Sequence, residues 1–104
     1  MPIDVIEPGL VARYPHTALP SQSMIRVEFS CSGTIVVIAS DPSNAQKFVN
    51  GEPSTSFVTA TYARLEKGNV YFILPPYTPW ELSFYNTEAR HVGVYWQVFN
   101  MTPP

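Results

Sequence analysis

The residues from Trp80 to Phe99 alternate between apolar and polar on both sides of a short polar break, and no other feature constrains the fold as strongly. Alternation over runs of this length is typical of half-buried β-strands, and the break has the length of a hairpin loop. Pairing Phe84 with Val92 also places Trp80 opposite Trp96 and gathers the large apolar side chains on one face. A shift of one residue would set this face against polar residues. The pattern therefore predicts an antiparallel hairpin with both tryptophans in the core.

Four other segments have the patterns of strands. Residues 24–30 alternate with one polar side, and residues 34–39 form the β-branched run of a strand covered on both faces. Residues 55–64 are rich in threonine and aromatic residues, which predicts a strand suited to a sheet edge. Residues 70–74 predict a further apolar strand after a turn at 65–69.

One short helix is predicted between two of these strands. Asp41 suits the N-cap, Pro42 the first helical position and Gly51 the C-terminal stop. We expect Phe48 and Val49 to anchor this helix at one end of the fold. In total the sequence predicts an all-β fold, an antiparallel β-sandwich of about six to eight short strands with one helix.

The N-terminal segment differs from the rest of the chain because it contains prolines at positions 2, 8, 15 and 20. This spacing excludes a helix or a central strand and predicts an extended arm over residues 1–23, followed by a sandwich domain over 24–100 and a tail over 101–104. The arm is too apolar for a free tail. Two interpretations are open: it covers an edge of its own sheet, or it reaches a neighbouring subunit. Its candidate contact residues are Ile3, Val5, Ile6 and Leu10.

Composition argues against several classes of partner. Charged residues make up 13% of the chain, about half of the usual quarter, so the surface is either rich in uncharged polar groups or partly hidden by neighbouring molecules. The net charge is −2 and the basic residues do not cluster, so nucleic acid is not an expected partner. The longest charge-free runs are too short to cross a bilayer. No signal-peptide pattern is visible at the N-terminus, so we expect a soluble chain and predict no compartment.

The sequence contains no set of residues with the spacing of a catalytic or metal site. A nucleophile needs an adjacent base and an orienting group, whereas His16 lies in the arm and His91 at the hairpin. Cys31 is the single cysteine and is expected to be a half-buried turn residue. Glu28 and Glu81 would form a useful carboxylate pair only if they flanked one cleft. We therefore expect no catalysis, no metal and no cofactor.

Tyrosines provide the main indication of a binding surface. Tyr85 and Tyr95 are predicted on the outer face of the hairpin beside His91, and Tyr77 lies in the preceding Pro-rich loop. Exposed tyrosines bring a large contact area at little cost in rotamer entropy, which suits a protein contact, self-assembly or a carbohydrate platform. A third interpretation is that the arm covers these tyrosines.

Five segments between Met24 and Asn100 follow one another in a recognisable order: Ile35–Ile38, Lys47–Glu52, Val70–Pro75, Leu82–Asn86 and Val92–Trp96. This order resembles the Golgi-dynamics (GOLD) type of β-sandwich. The resemblance implies a jelly-roll or GOLD-like fold and a non-catalytic module that binds other proteins. Sandwiches of this kind also form virus particles and other assemblies. We therefore expect a structural subunit of a homo-oligomer or of a larger assembly such as a virion, with a carbohydrate- or ligand-binding module as the alternative.

Overall fold

The computed structural model describes residues 3–102, which form eight strands and one helix. The helix α1 lies between β4 and β5 and spans Pro42–Val49. The strands are β1 (Ile3–Ile6), β2 (Val11–His16), β3 (Ser23–Cys31), β4 (Ile35–Ser40), β5 (Val58–Tyr62), β6 (Leu65–Leu74), β7 (Trp80–Asn86) and β8 (Val92–Asn100).

The strands form two antiparallel sheets of four, which confirms the predicted all-β sandwich. The first sheet has the order β1-β8-β3-β6 and the second the order β2-β7-β4-β5. Apart from β4 and β5, each strand is followed along the chain by a strand of the other sheet, which is the topology of a jelly roll. The edge strands β1 and β2 therefore lie on one side of the sandwich, and β5 and β6 on the other.

The predicted hairpin of β7 and β8 is wrong, because the two strands belong to different sheets. β7 pairs with β2 and β4, whereas β8 pairs with β1 and β3. The predicted inward faces are nevertheless correct, since Trp80, Phe84, Val92 and Trp96 are all buried. The residues between the strands thus form an arch across the sandwich. The two apolar faces meet through the core and not side by side within one sheet.

The N-terminal segment is part of the sandwich and not an arm outside it. Residues 3–6 pair with β8 and residues 11–16 pair with β7, so this segment supplies one edge strand to each sheet. Pro15 is compatible with this position because an edge strand leaves half of its backbone groups unpaired. At the other terminus, the N–H of Met101 donates to the carbonyl of Met24 at 2.8 Å. Residues 103–104 of the predicted tail lie outside the described residues.

The core is filled by side chains from both sheets. Phe84 and Trp96 face each other across it with their ring centroids 5.5 Å apart. Tyr14 of β2 lies 4.1 Å from Trp96 between centroids, and its hydroxyl donates to the carboxylate of Asp4 on β1. Tyr14 therefore links the two edge strands at the side of the sandwich. Full burial of a large apolar side chain contributes about 1.5–3 kcal/mol to the stability of a fold.

Helix α1 begins and ends as the sequence predicts. The carboxylate of Asp41 accepts a hydrogen bond from the N–H of Asn44 at 2.8 Å, and Pro42 is the first helical residue. Gly51 follows the helix with a φ of 74°, a left-handed conformation that glycine adopts without strain.

The helix packs on the outer face of the second sheet and not at an end of the sandwich. Ala45 is its buried residue, and Phe48, one turn later, contacts the ring of Tyr85 with centroids 5.7 Å apart. Val49 is 43% exposed, so the expectation that it anchors the helix is wrong. Ala45 and Phe48 fill the stripe of this two-turn helix that contacts the sheet, whereas the side chain of Val49, at the end of the last turn, remains open to solvent.

The predicted turn at 65–69 is also wrong, because β6 already begins at Leu65.

Cys31 is the last residue of β3 and does not lie in a turn. It is buried, and its Sγ lies 3.4 Å from the carbonyl oxygen of Ala63. The pairing of β3 with β6 shifts register between Phe29 and Cys31. β6 is therefore a long edge strand with a β-bulge near its start.

Candidate interaction surface

The outer face of the first sheet carries apolar side chains that the registers of β3 bring together. Met24 lies opposite Ile73, and Arg26 lies opposite both Tyr71 on β6 and Phe99 on β8. Cross-strand neighbours of this kind are in side-chain contact distance on one face of a sheet. We call the resulting surface the apolar strip; it consists of Met24, Tyr71, Ile73, Phe99 and Met101.

Most of the apolar strip is open to solvent. Tyr71 is 55% exposed, Met101 48%, Ile73 45% and Met24 38%. Single exposed apolar residues are ordinary, but a contiguous group rimmed by polar residues is typical of an interaction site. The strip is therefore the best candidate for a contact surface in the described part of the chain.

Arg26 places a positive charge within the apolar strip, and Phe99 and Glu28 compensate much of this charge. The guanidinium carbon lies 4.4 Å from the centroid of the Phe99 ring, in the arrangement of a cation–π contact. Its Nη1 lies 3.8 Å from Oε2 of Glu28. The Nε atom is buried and has no hydrogen-bond partner among residues 3–102. The strip therefore adds little net charge to a contact surface.

β6 runs along the strip and is the least protected of the four edge strands. β1 has four residues and β5 has five, which leaves little backbone to pair. β2 contains Pro15 and carries Arg13 on its outer side. β6 has ten residues, and its stretch Asn69–Leu74 contains neither a charge nor a proline. Glu66, Lys67 and the β-bulge protect the start of β6, but the stretch Asn69–Leu74 is available for pairing with another strand.

The outer face of the second sheet is covered in part by α1 and by an ion pair. Nε and Nη2 of Arg13 donate to the two carboxylate oxygens of Glu81 at 2.9 and 2.8 Å, and Nη1 donates to the side chain of Gln46 on the helix at 2.7 Å. Glu81 is buried. This face therefore offers less free apolar surface than the first sheet.

The candidate residues of the N-terminal segment lie in different environments. Ile6 is 3% exposed and belongs to the core, so its prediction as a contact residue is wrong: β1 alternates, and Ile6 points inward. Val5 points outward, and the backbone of Ile3 lies opposite Tyr95 in the register of β1 and β8. Leu10 is exposed in the connection between β1 and β2.

The predicted tyrosine face does not exist. Tyr85 lies on the outer face of the second sheet and Tyr95 on that of the first, so the two rings are on opposite sides of the sandwich. This follows from the separation of β7 and β8. His91 is exposed before β8 and does not pair with Tyr85, whose cross-strand neighbours are on β2 and β4. Tyr77 is exposed in the loop before β7, with a φ of 58°.

The side chains that could act as catalytic acids, bases or nucleophiles are either far apart or enclosed by neighbouring side chains. Glu28 and Glu81 lie on the outer faces of different sheets and do not flank one cleft. The ring of His16 stacks on Trp80 with centroids 4.1 Å apart, and burial lowers the pKa of His16. Burial also raises the pKa of the Cys31 thiol, which keeps it in the less reactive protonated form.

Between residues 3 and 102, no group of three or more His, Cys, Asp and Glu side chains is placed to hold a metal ion. No helix in this range has the length and apolar character needed to cross a membrane.

The sequence patterns alone do not predict the apolar strip. The signal that could have found it is the alternation within β6. Val70, Phe72 and Leu74 face the core. The residues between them, Tyr71 and Ile73, must therefore face outward. Apolar residues at two successive outward positions of an edge strand, Tyr71 and Ile73, are the informative part of the pattern. The sequence of this chain matches no protein-family model, and comparison with curated proteins finds no match.

Proposed function

We propose that this protein is a non-catalytic structural subunit that associates with further copies of itself through the apolar strip and the adjoining edge of β6. The observation that carries the proposal is the continuity of an exposed apolar surface with an unprotected strand edge. Each feature alone favours association, because one offers apolar area and the other unpaired backbone groups. The expected product is a homo-oligomer or a larger assembly.

Further copies of the chain suit both features, because one copy can pair with the edge of β6 and another can pack on the apolar strip. An edge strand can pair with the same strand of another molecule in antiparallel orientation about a twofold axis, which closes the assembly. Pairing β6 with its own copy would join the two first sheets into one and set the two apolar strips side by side. The uncharged stretch Asn69–Leu74 then meets an identical stretch. No unpaired charge is buried in this arrangement.

The area of the first sheet is sufficient for a stable contact. The molecule measures 41 × 30 × 18 Å, so each broad side extends over 41 by 30 Å. A standard interface takes about 800 Å² from each partner, roughly two thirds of such a side. Face-to-face packing of two apolar strips can therefore reach the size of a specific interface, whereas edge pairing of β6 adds backbone hydrogen bonds along the narrow side of the molecule.

Sedimentation and light scattering of matched edge variants test the proposal. We expect the wild-type chain to form dimers or larger species, and Ile73→Lys to shift it to monomer, because a lysine at this edge opposes strand pairing. Thr59→Lys is the control, since Thr59 is an exposed residue on β5, the corresponding edge of the second sheet. Circular dichroism of both variants checks the fold.

Two results would contradict self-association through β6. One is a wild-type chain that stays monomeric to millimolar concentration. The other is an oligomer that Thr59→Lys dissociates while Ile73→Lys does not, which would move the contact to the second sheet.

A further inference from the structure

A groove of about 400 Å³ opens on the outer face of the first sheet, at the end away from the apolar strip. Ser30 and Tyr95 are cross-strand neighbours there, two rows of residues beyond Arg26. Cavities of roughly 300–1,000 Å³ are the usual size of small-molecule sites. Its polar and aromatic lining consists of Ser30, Ser32, Arg64, Glu66, Gly93 and Tyr95.

The β-bulge of β6 shapes this groove. Because the register shifts between Phe29 and Cys31, Ser30 faces two residues of β6, Glu66 and Lys67, and both of them are exposed. A regular strand would turn one of the two toward the core. The bulge therefore brings the Glu66 carboxylate to the same face as Tyr95, where small residues leave room for a ligand.

Two charged side chains of the groove lining, Arg64 and Glu66, are not engaged in ion pairs within the described part of the chain. Charged residues are only 13% of the sequence, and most of the basic residues form ion pairs with Glu28, Glu81 or Glu88. Arg64 and Glu66 are exposed and form no ion pair or side-chain hydrogen bond with any residue from 3 to 102. A guanidinium and a carboxylate in one groove supply both donors and acceptors without net charge.

The Ser32 hydroxyl adds a polar group that is held in place. Its oxygen accepts a hydrogen bond from the N–H of Gly93 at 2.8 Å, which leaves its own O–H free to donate. The N–H of Ser32 donates to the carbonyl of Gly93 at 3.0 Å, so the two segments of the lining are tied together. This part of the groove is therefore formed before a ligand arrives.

We propose that this groove binds a neutral sugar. The aromatic ring of Tyr95 offers an apolar face to the C–H side of a sugar ring, and the Arg64, Glu66 and Ser32 groups match its hydroxyls, which both donate and accept. A small anion is disfavoured because the lining of the groove holds the Glu66 carboxylate as well as the Arg64 guanidinium. The inference is independent of the proposed self-association, since the groove and the apolar strip are at opposite ends of the sheet.

The test is a titration of the ¹⁵N-labelled full chain, followed by NMR, with glucose, galactose, mannose and N-acetylglucosamine in separate experiments. We expect at least one sugar to bind in the millimolar range and to shift the amide signals of Ser30, Ser32, Gly93 and Tyr95. Tyr95→Ala should weaken this binding about tenfold, the scale of one lost aromatic contact. Arg64→Ala, a change at an exposed bend, should weaken it without any risk to the core.

Tyr85→Ala is the matched control, because Tyr85 is a tyrosine on the opposite face of the sandwich. It should leave sugar affinity unchanged. The proposal is overturned if none of the four sugars shifts the groove signals, if the shifts map to Tyr85, or if sodium acetate shifts the groove signals and the sugars do not.

Discussion

Arg13 and Glu81 form the most buried of the ion pairs in the described chain, with side chains 28% and 7% exposed. The hydrogen bond to Glu81 is the main reason that the pKa of Arg13 is raised above its usual value. The two contacts are those of a bidentate guanidinium–carboxylate pair, which is stronger and more directional than a single charge contact. The pair therefore helps to fix the edge strand β2 on β7.

Replacing Arg13 with methionine should destabilise the fold by about 2–3 kcal/mol, because it leaves the Glu81 carboxylate buried without a partner. Urea unfolding at neutral pH measures this loss. Lys67→Met is the control: the Lys67 side chain is 68% exposed and its Nζ lies 3.8 Å from Oε1 of Glu28, so its removal should cost no more than about 0.5 kcal/mol. Equal losses in the two variants would refute the special role of the buried pair.

His16 makes the stability of the fold depend on pH. Its pKa is lowered by burial against Trp80, so the unfolded chain takes up a proton at higher pH than the folded chain. The contribution of neutral His16 is thus fully present above the unfolded pKa of about 6.5 and is lost as the pH falls through and below that value.

The measurement is the free energy of unfolding at pH 7.5 and 5.5 for the wild type, His16→Gln and His91→Gln. We expect the wild type and His91→Gln, a change at an exposed loop residue, to lose stability between the two values. His16→Gln should lose less. If all three chains respond equally, another group is responsible.

Among the elements, helix α1 is stabilised by capping hydrogen bonds at its two ends and by the packing of one face on the second sheet. Asp41 accepts hydrogen bonds from both the backbone and the side chain of Asn44, and these bonds lower the pKa of Asp41. After the helix, the N–H groups of Gly51 and Glu52 donate to carbonyls of the last turn. Because a helix of two turns has little stability of its own, these caps and the buried Ala45 determine whether it forms.

Asp41→Ala should cost about 1 kcal/mol of stability, the usual effect of removing an N-cap acceptor. Asp41→Asn is the matched variant, since asparagine retains a side-chain oxygen at the same position and should preserve most of the stability. Thermal and urea unfolding of the two variants measure the difference. A loss as large in Asp41→Asn as in Asp41→Ala would mean that the charge, and not the cap, stabilises the helix.

At the scale of the whole molecule, the sandwich has one partly covered face and one face with an exposed apolar strip. α1 and the Arg13–Glu81 pair occupy the outer side of the second sheet, whereas the first sheet presents Tyr71 and Ile73 to solvent. A partner that binds only the folded chain adds to its stability by mass action. The proposed self-association therefore has a consequence for thermal unfolding.

The melting temperature of the wild type should rise with protein concentration, by about 3 °C for each tenfold increase if two copies bind each other. Differential scanning calorimetry over two decades of concentration measures this. Ile73→Lys should abolish the dependence, and Thr59→Lys should retain it. A melting temperature that is constant with concentration in the wild type would argue against self-association.

Local sequence patterns are sufficient to predict the ends of the helix and the direction in which the strand side chains point. Alternation with a period of two assigns Trp80, Phe84 and Trp96 to the core, because each strand needs only its own pattern to orient its faces. The helix ends at Asp41 and Gly51 were equally readable, since capping depends on a few neighbouring residues.

Strand pairing and the exposure of surfaces depend instead on contacts between distant parts of the chain. A hairpin within one sheet and an arch between two sheets bury the same face of β7 and β8, so alternation cannot distinguish them. Pairing is set by contacts between residues far apart in sequence, such as those of β1 with β8 and of β3 with both of its neighbours. For that reason Tyr85 and Tyr95 lie on opposite faces, the N-terminal segment forms edge strands, and the apolar strip assembles from three separate parts of the chain.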